Sequence, residues 1–182
     1  MISNIEMLSS PLDVSQIEFR VQSVTGWGVA RLLAYKDARA DMQVLDKVVG
    51  PLNWKREHIN GNKNCIVSIY CDDKKQWVSK EDTGTESNTE AAKGLASDSF
   101  KRACFNWGIG RELYDYPVIE VKLFEDEWEK QGNKGKAKYS LQPKNWTWFS
   151  QFTDGKLNYL GAKDTNGKLR FQHGKFIKPA EQ

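Results

Sequence analysis

The chain has 182 residues, 39% of them hydrophobic, and a formal net charge of +3. That length suits one compact core with additions better than two domains of ordinary size. Its longest apolar runs, such as Leu32-Leu33-Ala34, fall far short of the roughly 20 residues a spanning helix needs, and no basic-then-apolar leader precedes Asp13, so a soluble, cytoplasmic protein is expected.

Asp13 can cap a short helix over about Val14 to Val21, and Trp27 to Tyr35 then reads as a strand. Asp37 is a second cap. Behind it Ala38, Met42, Leu45, Val48 and Val49 recur at helical spacing until Gly50-Pro51 stops them. Next come Leu52 to Ile59, the turn Asn60-Gly61-Asn62-Lys63, Cys65 to Cys71, a charged turn holding Lys74 and Lys75, and Gln76 to Lys80. This succession predicts a three-stranded antiparallel meander over residues 52–82.

Ser87 and Glu90 have capping-box spacing, and the helix they open runs to about Trp107, where Gly108 and Gly110 end it. Ala92, Ala96, Ser99, Phe100, Ala103 and Trp107 share one narrow face made largely of small residues, suited to close packing on a sheet. Lys101 points nearly opposite, Lys93 and Arg102 flank the face, and Phe105 lies one turn beyond Lys101. An exposed basic side with an aromatic in it is what single-strand binding requires, because cations hold phosphates and rings stack on bases.

Pro117 opens an extended stretch, Val118 to Phe124, followed by the acidic run Glu125 to Glu129, read as a solvated face. Gln131 to Lys138 reads as a flexible surface loop rich in glycine and lysine. Lys156 to Ala162 and Lys168 to Phe171 flank Asp164-Thr165-Asn166-Gly167 and predict a second hairpin. Charge is uneven: residues 1–129 balance at −5 and residues 130–178 at +9. Trp146, Trp148, Phe149 and Phe152 stand among the basic residues, where large aromatics more often fill a core or an interface than stack bases.

Catalytic patterns are missing from the sequence: there is no P-loop, no G-x-S-x-G elbow and no H-E-x-x-H pair. Three cysteines (Cys65, Cys71, Cys104) without CxxC spacing and two histidines (His58, His173) suggest neither a disulfide framework nor a zinc site. No enzymatic activity and no cofactor or metal are expected.

The segment from Glu90 to Gly108, EAAKGLASDSFKRACFNWG, resembles the signature helix of the Rad-fifty-two family and its phage-encoded, Sak-like relatives. There an A-x-x-D-x-hydrophobic-K-R-A core ends in an aromatic-glycine pair. The preceding order of elements is similar too, with Arg39 early in a helix and Gly50 to Trp54 entering the meander, so the resemblance covers roughly residues 12–116. It implies an α+β fold in which a helix packs across an antiparallel β-meander. Residues 1–129 would form the annealing core and residues 130–182 a β-rich, basic and aromatic C-terminal extension.

The resemblance also implies a function: binding of single-stranded DNA and ATP-independent annealing of complementary strands in homologous recombination or DNA repair. A homo-oligomeric ring, an annealed duplex intermediate, and a nuclease or single-strand-binding protein as partner come with it, in a bacterial or phage-infected cell. Carried over residue by residue, Lys101 and Arg102 contact phosphates, with Lys93 two turns earlier, Arg39 as a further groove cation, and Lys74 or Lys75 at an outer DNA site. Phe105 stands where another groove arginine is expected and can substitute stacking for charge. An RNA-binding module and a phage assembly or interaction protein are the alternatives.

Overall fold

The computed structural model describes residues 5–85 and 91–177, with residues 91–93 given by their backbone alone. In chain order its elements are β1 (Ile17–Thr25), β2 (Val29–Lys36), α1 (Ala38–Val48), β3 (Trp54–Ile59), β4 (Asn64–Cys71), β5 (Gln76–Thr83) and α2 (Ala91–Asn106), and then β6 (Ile119–Lys122), β7 (Trp128–Gln131), β8 (Lys134–Ala137), β9 (Thr147–Thr153), β10 (Lys156–Lys163) and β11 (Leu169–Gly174). Mainly antiparallel sheets with two helices among the described residues are compatible with the expected α+β class. The elements gather into two compact units: one of residues 1–12 and 36–111, the other of residues 13–35 and 112–182.

In the first unit, Asp37 caps α1 by accepting from the backbone N–H groups of Arg39 and Ala40. At the other end Gly50 adopts φ +89°, the left-handed conformation that ends helices. The meander β3-β4-β5 is antiparallel throughout, with Val67 opposite Arg56 on one side and Lys80 on the other. Alternation along β4 sends Cys65, Val67 and Ile69, all buried, toward α2.

From α2 the meander receives Leu95, Ser99, Phe100, Ala103, Cys104 and Trp107, each buried. This stripe is wider than the predicted face, because α1 also packs on α2 and covers its Cys104 side. Ala96 is half-buried. The Ser87–Glu90 capping box and the side chains of Ala92 and Lys93 lie outside the described residues. Gly108 (φ +106°) and Gly110 (φ +77°) end the helix as read from the sequence. Gly110 has a second reason to be glycine, since a Cβ there would lie 2.5 Å from Cε of Lys36.

The second unit holds a five-stranded sheet, ordered β6-β2-β1-β8-β7, and a three-stranded sheet, β11-β10-β9. Three expectations are corrected here. Asp13 does cap a helical turn, but the turn is 3-10, spans only Val14–Gln16, and gives way to β1 at Ile17. Ile17 and Phe19 alternate into the core, and Phe19 stacks on Trp148 of β9 with ring centroids 3.6 Å apart. Burying two such rings outweighs a local helical preference, since each large side chain contributes roughly 1.5–3 kcal/mol.

The glycine- and lysine-rich segment is likewise no loose loop. It forms the turn and return strand of the β7–β8 hairpin, which pairs Val24 with Gly135 and Thr25 with Lys134 of β8. Missing side chains make this possible: a Cβ at Gly28 or Gly135 would strike the Trp128 ring, at 2.5 and 2.9 Å respectively. The acidic run is not uniformly solvated either. Glu127 is half-buried and bonds Arg170 through both carboxylate oxygens, at 2.7 and 2.8 Å. Trp146 and Trp148 are buried, whereas Phe149 is exposed. The predicted second hairpin is present as β10–β11.

Candidate nucleic-acid interface

The helix α2 is fixed to the meander by polar contacts at both levels of its length. Ser99 donates to the Asn62 carbonyl at 3.0 Å, and the Trp107 indole N–H donates to the Val67 carbonyl at 3.0 Å. Around these contacts the basic side chains lie on rings. The Arg56 guanidinium sits 4.7 Å from the Phe100 centroid, and Lys80 Nζ 4.6 Å from that of Trp107.

The last turn of α2 leaves carbonyls without helical partners, and cations meet them. Lys80 donates to the Asn106 carbonyl at 2.7 Å, while Arg111 reaches those of Phe105 and Asn106 at 2.9 and 3.0 Å. Arg111 also stands over the Phe105 ring at 5.5 Å, so this aromatic carries a cation on its face. Arg102 is about half exposed and its Nε lies 3.3 Å from Asp82 of β5.

Lys101 departs from its expected place. It is half-buried, not turned wholly to solvent, and its charge acts on the buried carboxylate of Asp41 in α1. Burial pushes the Asp41 carboxyl up to about 6, against the pull of the bonded Lys36 ammonium and of Lys101. Arg39, two residues before Asp41 and well exposed, pairs with its neighbour Asp37 at 2.6 Å. Lys101 thus lies on the side of α2 that meets α1, the helix that carries Arg39.

Lys74 and Lys75 are exposed in the β4–β5 turn, where Lys75 takes φ +51°. From Asp82, the partner of Arg102, back to Lys75 along β5 is about 23 Å at the rise of an extended strand. These turn lysines and the α2 cations therefore form two separate basic regions of one unit.

Cysteine chemistry is quiet in this unit. Burial raises the Cys65 thiol to about 11 and raises that of Cys104 further, so both pack as small apolar groups. His58 is held below its ordinary value by burial and by Arg56. No described helix is long and apolar enough to cross a membrane.

The chain is similar to the single-stranded DNA-binding protein DdrA of Deinococcus radiodurans. The two are 38% identical over 92 residues, which cover 48% of this chain and 43% of DdrA. The likeness thus spans less than half of that protein. No family profile matches the sequence, and no solved structure matches it.

Beside this likeness to DdrA stand two aromatic–cation clusters that the sequence reading did not single out. The first is on the meander face turned away from α2. Trp77, 40% exposed, meets Tyr70 edge-on at 5.5 Å and carries Lys55 Nζ 4.6 Å above its ring. It adjoins the turn that holds Lys74 and Lys75. The signal was in the strand alternation, which puts Lys55, Tyr70 and Trp77 on one side, but only the pairing register shows that they meet. The second cluster, in the other unit, centres on Trp27, which is 79% exposed with Lys130 Nζ 5.9 Å from its ring centroid.

Proposed function

We propose that this protein binds single-stranded DNA and promotes annealing of complementary strands without nucleotide hydrolysis, as a non-enzymatic factor in recombination or repair. The similarity to DdrA, a single-stranded DNA-binding protein, carries the reading. The resemblance of α2 to the Rad-fifty-two signature helix and the placement of cations on aromatic faces support it. Unspecific binding of a single strand needs cations for phosphates and ring faces for bases, and the first unit offers both at Arg102 with Phe105 and at Lys55, Trp77, Lys74 and Lys75. The same resemblance assigns Lys93, Arg39 and Lys101 to the groove as further phosphate contacts, Lys101 while also balancing Asp41.

A homo-oligomeric ring would align one such surface per subunit into a continuous track, so that weak contacts along a strand add through effective concentration. Bases held facing outward can then test a second strand, and duplex formation supplies the free energy.

The test is binding of a fluorescein-labelled oligonucleotide across a salt series, with annealing followed by quenching between labelled complementary strands in EDTA and without ATP. Arg102→Ala combined with Lys74→Ala is expected to weaken binding and to flatten the log–log salt dependence by about 0.7 for each lost phosphate contact. An unchanged slope in the double variant removes these residues from the DNA path. Annealing that requires ATP, or tighter binding to a matched RNA than to DNA, overturns the reading.

A further inference from the structure

The most exposed tryptophan among the described residues is Trp27, in the turn between β1 and β2. Exposure alone means little, since single apolar side chains are common on protein surfaces. What distinguishes Trp27 is how firmly its surroundings fix it. Thr25 Oγ1 accepts from its backbone N–H at 3.4 Å, and the Lys122 ammonium donates to its carbonyl. The next residue, Gly28, is held at φ +69° against the Trp128 ring. The indole therefore projects from a braced turn.

Beside it lies the tip of the β7–β8 hairpin. The two turns approach so closely that a Cβ at Gly26 would lie 2.8 Å from the Asn133 carbonyl oxygen. Together they enclose an open cleft of about 300 Å³ lined by Gly26, Trp27, Lys130, Gly132 and Asn133. That is the lower end of ligand-site volumes, about 300–1,000 Å³. Of its two lining glycines, Gly132 has nothing within 4 Å of the place its Cβ would take, which leaves room for a flat ring.

The charge here is one-signed. Lys130 approaches the Trp27 ring at 5.9 Å, and Lys122 reaches the turn from β6. The carboxylates on the neighbouring strands are engaged elsewhere: Glu129 faces Lys136 at 3.9 Å and Glu120 bonds Arg31 at 2.9 Å. A flat π-surface and two ammonium groups fit a planar heterocycle joined to anionic groups on either side.

We infer that Trp27, with Lys130, Lys122 and Asn133, forms a base-stacking site for single-stranded DNA at the tips of the β1–β2 and β7–β8 hairpins. This rests on the single-strand-binding reading and adds to it a site in the other unit, with a ring for the base and lysines for its flanking phosphates. Stacking on an aromatic ring tolerates any base, so the site has little sequence preference.

The full chain and its Trp27→Ala, Trp27→Phe and Lys130→Ala variants are titrated with labelled oligothymidylate and with an abasic strand of the same length, and each variant's native mass is recorded. Trp27→Ala is expected to bind oligothymidylate on the order of tenfold more weakly, with no change on the abasic strand and none in oligomeric state. Trp27→Phe should restore most of the loss, and Lys130→Ala should weaken both strands alike. If the unaltered chain binds oligothymidylate and Trp27→Ala binds it equally well, the stacking site is wrong while single-strand binding stands. A smaller oligomer for Trp27→Ala, with binding per subunit preserved, makes Trp27 a contact between copies and overturns the proposal. Failure of the unaltered chain to bind any strand overturns both readings together.

Discussion

Lys36→Met is expected to lower the stability of the protein by about 3–5 kcal/mol, because it strips the bonded cation from a fully buried carboxylate. Asp41 has no exposed surface and Lys36 is 6% exposed, so solvent cannot replace the lost ammonium. Denaturant unfolding at neutral pH measures the effect. The companion double variant Lys36→Met with Asp41→Leu should recover most of it, since an apolar pair removes both buried charges at once. Failure of the double variant to recover would mean that the Lys36 stem, packed at Gly110, matters more than its charge.

The same pair predicts a pH dependence. Burial holds the Asp41 carboxyl at about 6, above its ordinary value of 3.8, so the folded state binds a proton that the unfolded chain has released. The stabilisation this gives is complete below about pH 4, falls as pH rises to about 6, and is absent above, with a span on the order of 2–3 kcal/mol. In Lys36→Met the window extends to higher pH. Lys101 also lowers this carboxyl, so Lys101→Ala should move the window upward as well as weaken DNA binding, which a purely surface lysine would not do.

Arg170→Met is the second large loss expected, again about 3–5 kcal/mol, this time in the unit that contains β9–β11. The guanidinium is 3% exposed, bonds both carboxylate oxygens of Glu127, and stands 4.3 Å from the Phe124 centroid and 4.6 Å from that of Trp146. Without it Glu127 remains half-buried and unbalanced. Lysine should not rescue, because a point charge cannot match the two-toothed contact or lie flat between rings. Thermal unfolding of Arg170→Met and Arg170→Lys, alongside the salt series, checks this. A drop in DNA affinity at unchanged stability would make Arg170 a phosphate contact instead of an internal clamp.

Asp37 and Gly50 act through the backbone of adjacent residues, so the ends of α1 were legible, and Asn60-Gly61 announced the meander. Local signals also gave the glycine stop after α2. Phe19 reads locally as helix, because what makes it a strand residue is its stack on Trp148, far along the chain. Gly135 lacked every mark of a strand residue, and its place in β8 follows from a tryptophan ring that leaves no room for a Cβ. The site divides in the same way. Arg102 and Phe105 could be placed by helical spacing, whereas Lys101 near Asp41, Arg170 inside an ion pair, and Trp27 beside Lys130 all depend on which elements become neighbours.

The route of the chain has a consequence for synthesis. Everything the first unit contains has been translated by residue 111, but β1 and β2 belong with strands made after it. At roughly 5–20 residues per second, β1 waits about 5–20 s for its neighbour β8 to be made. During that interval Phe19 lacks Trp148, and the edge of β1 is open to any passing strand. A nascent chain in which residue 111 has cleared the ribosome but β8 has not should therefore present one finished unit and one unpaired segment with an open strand edge.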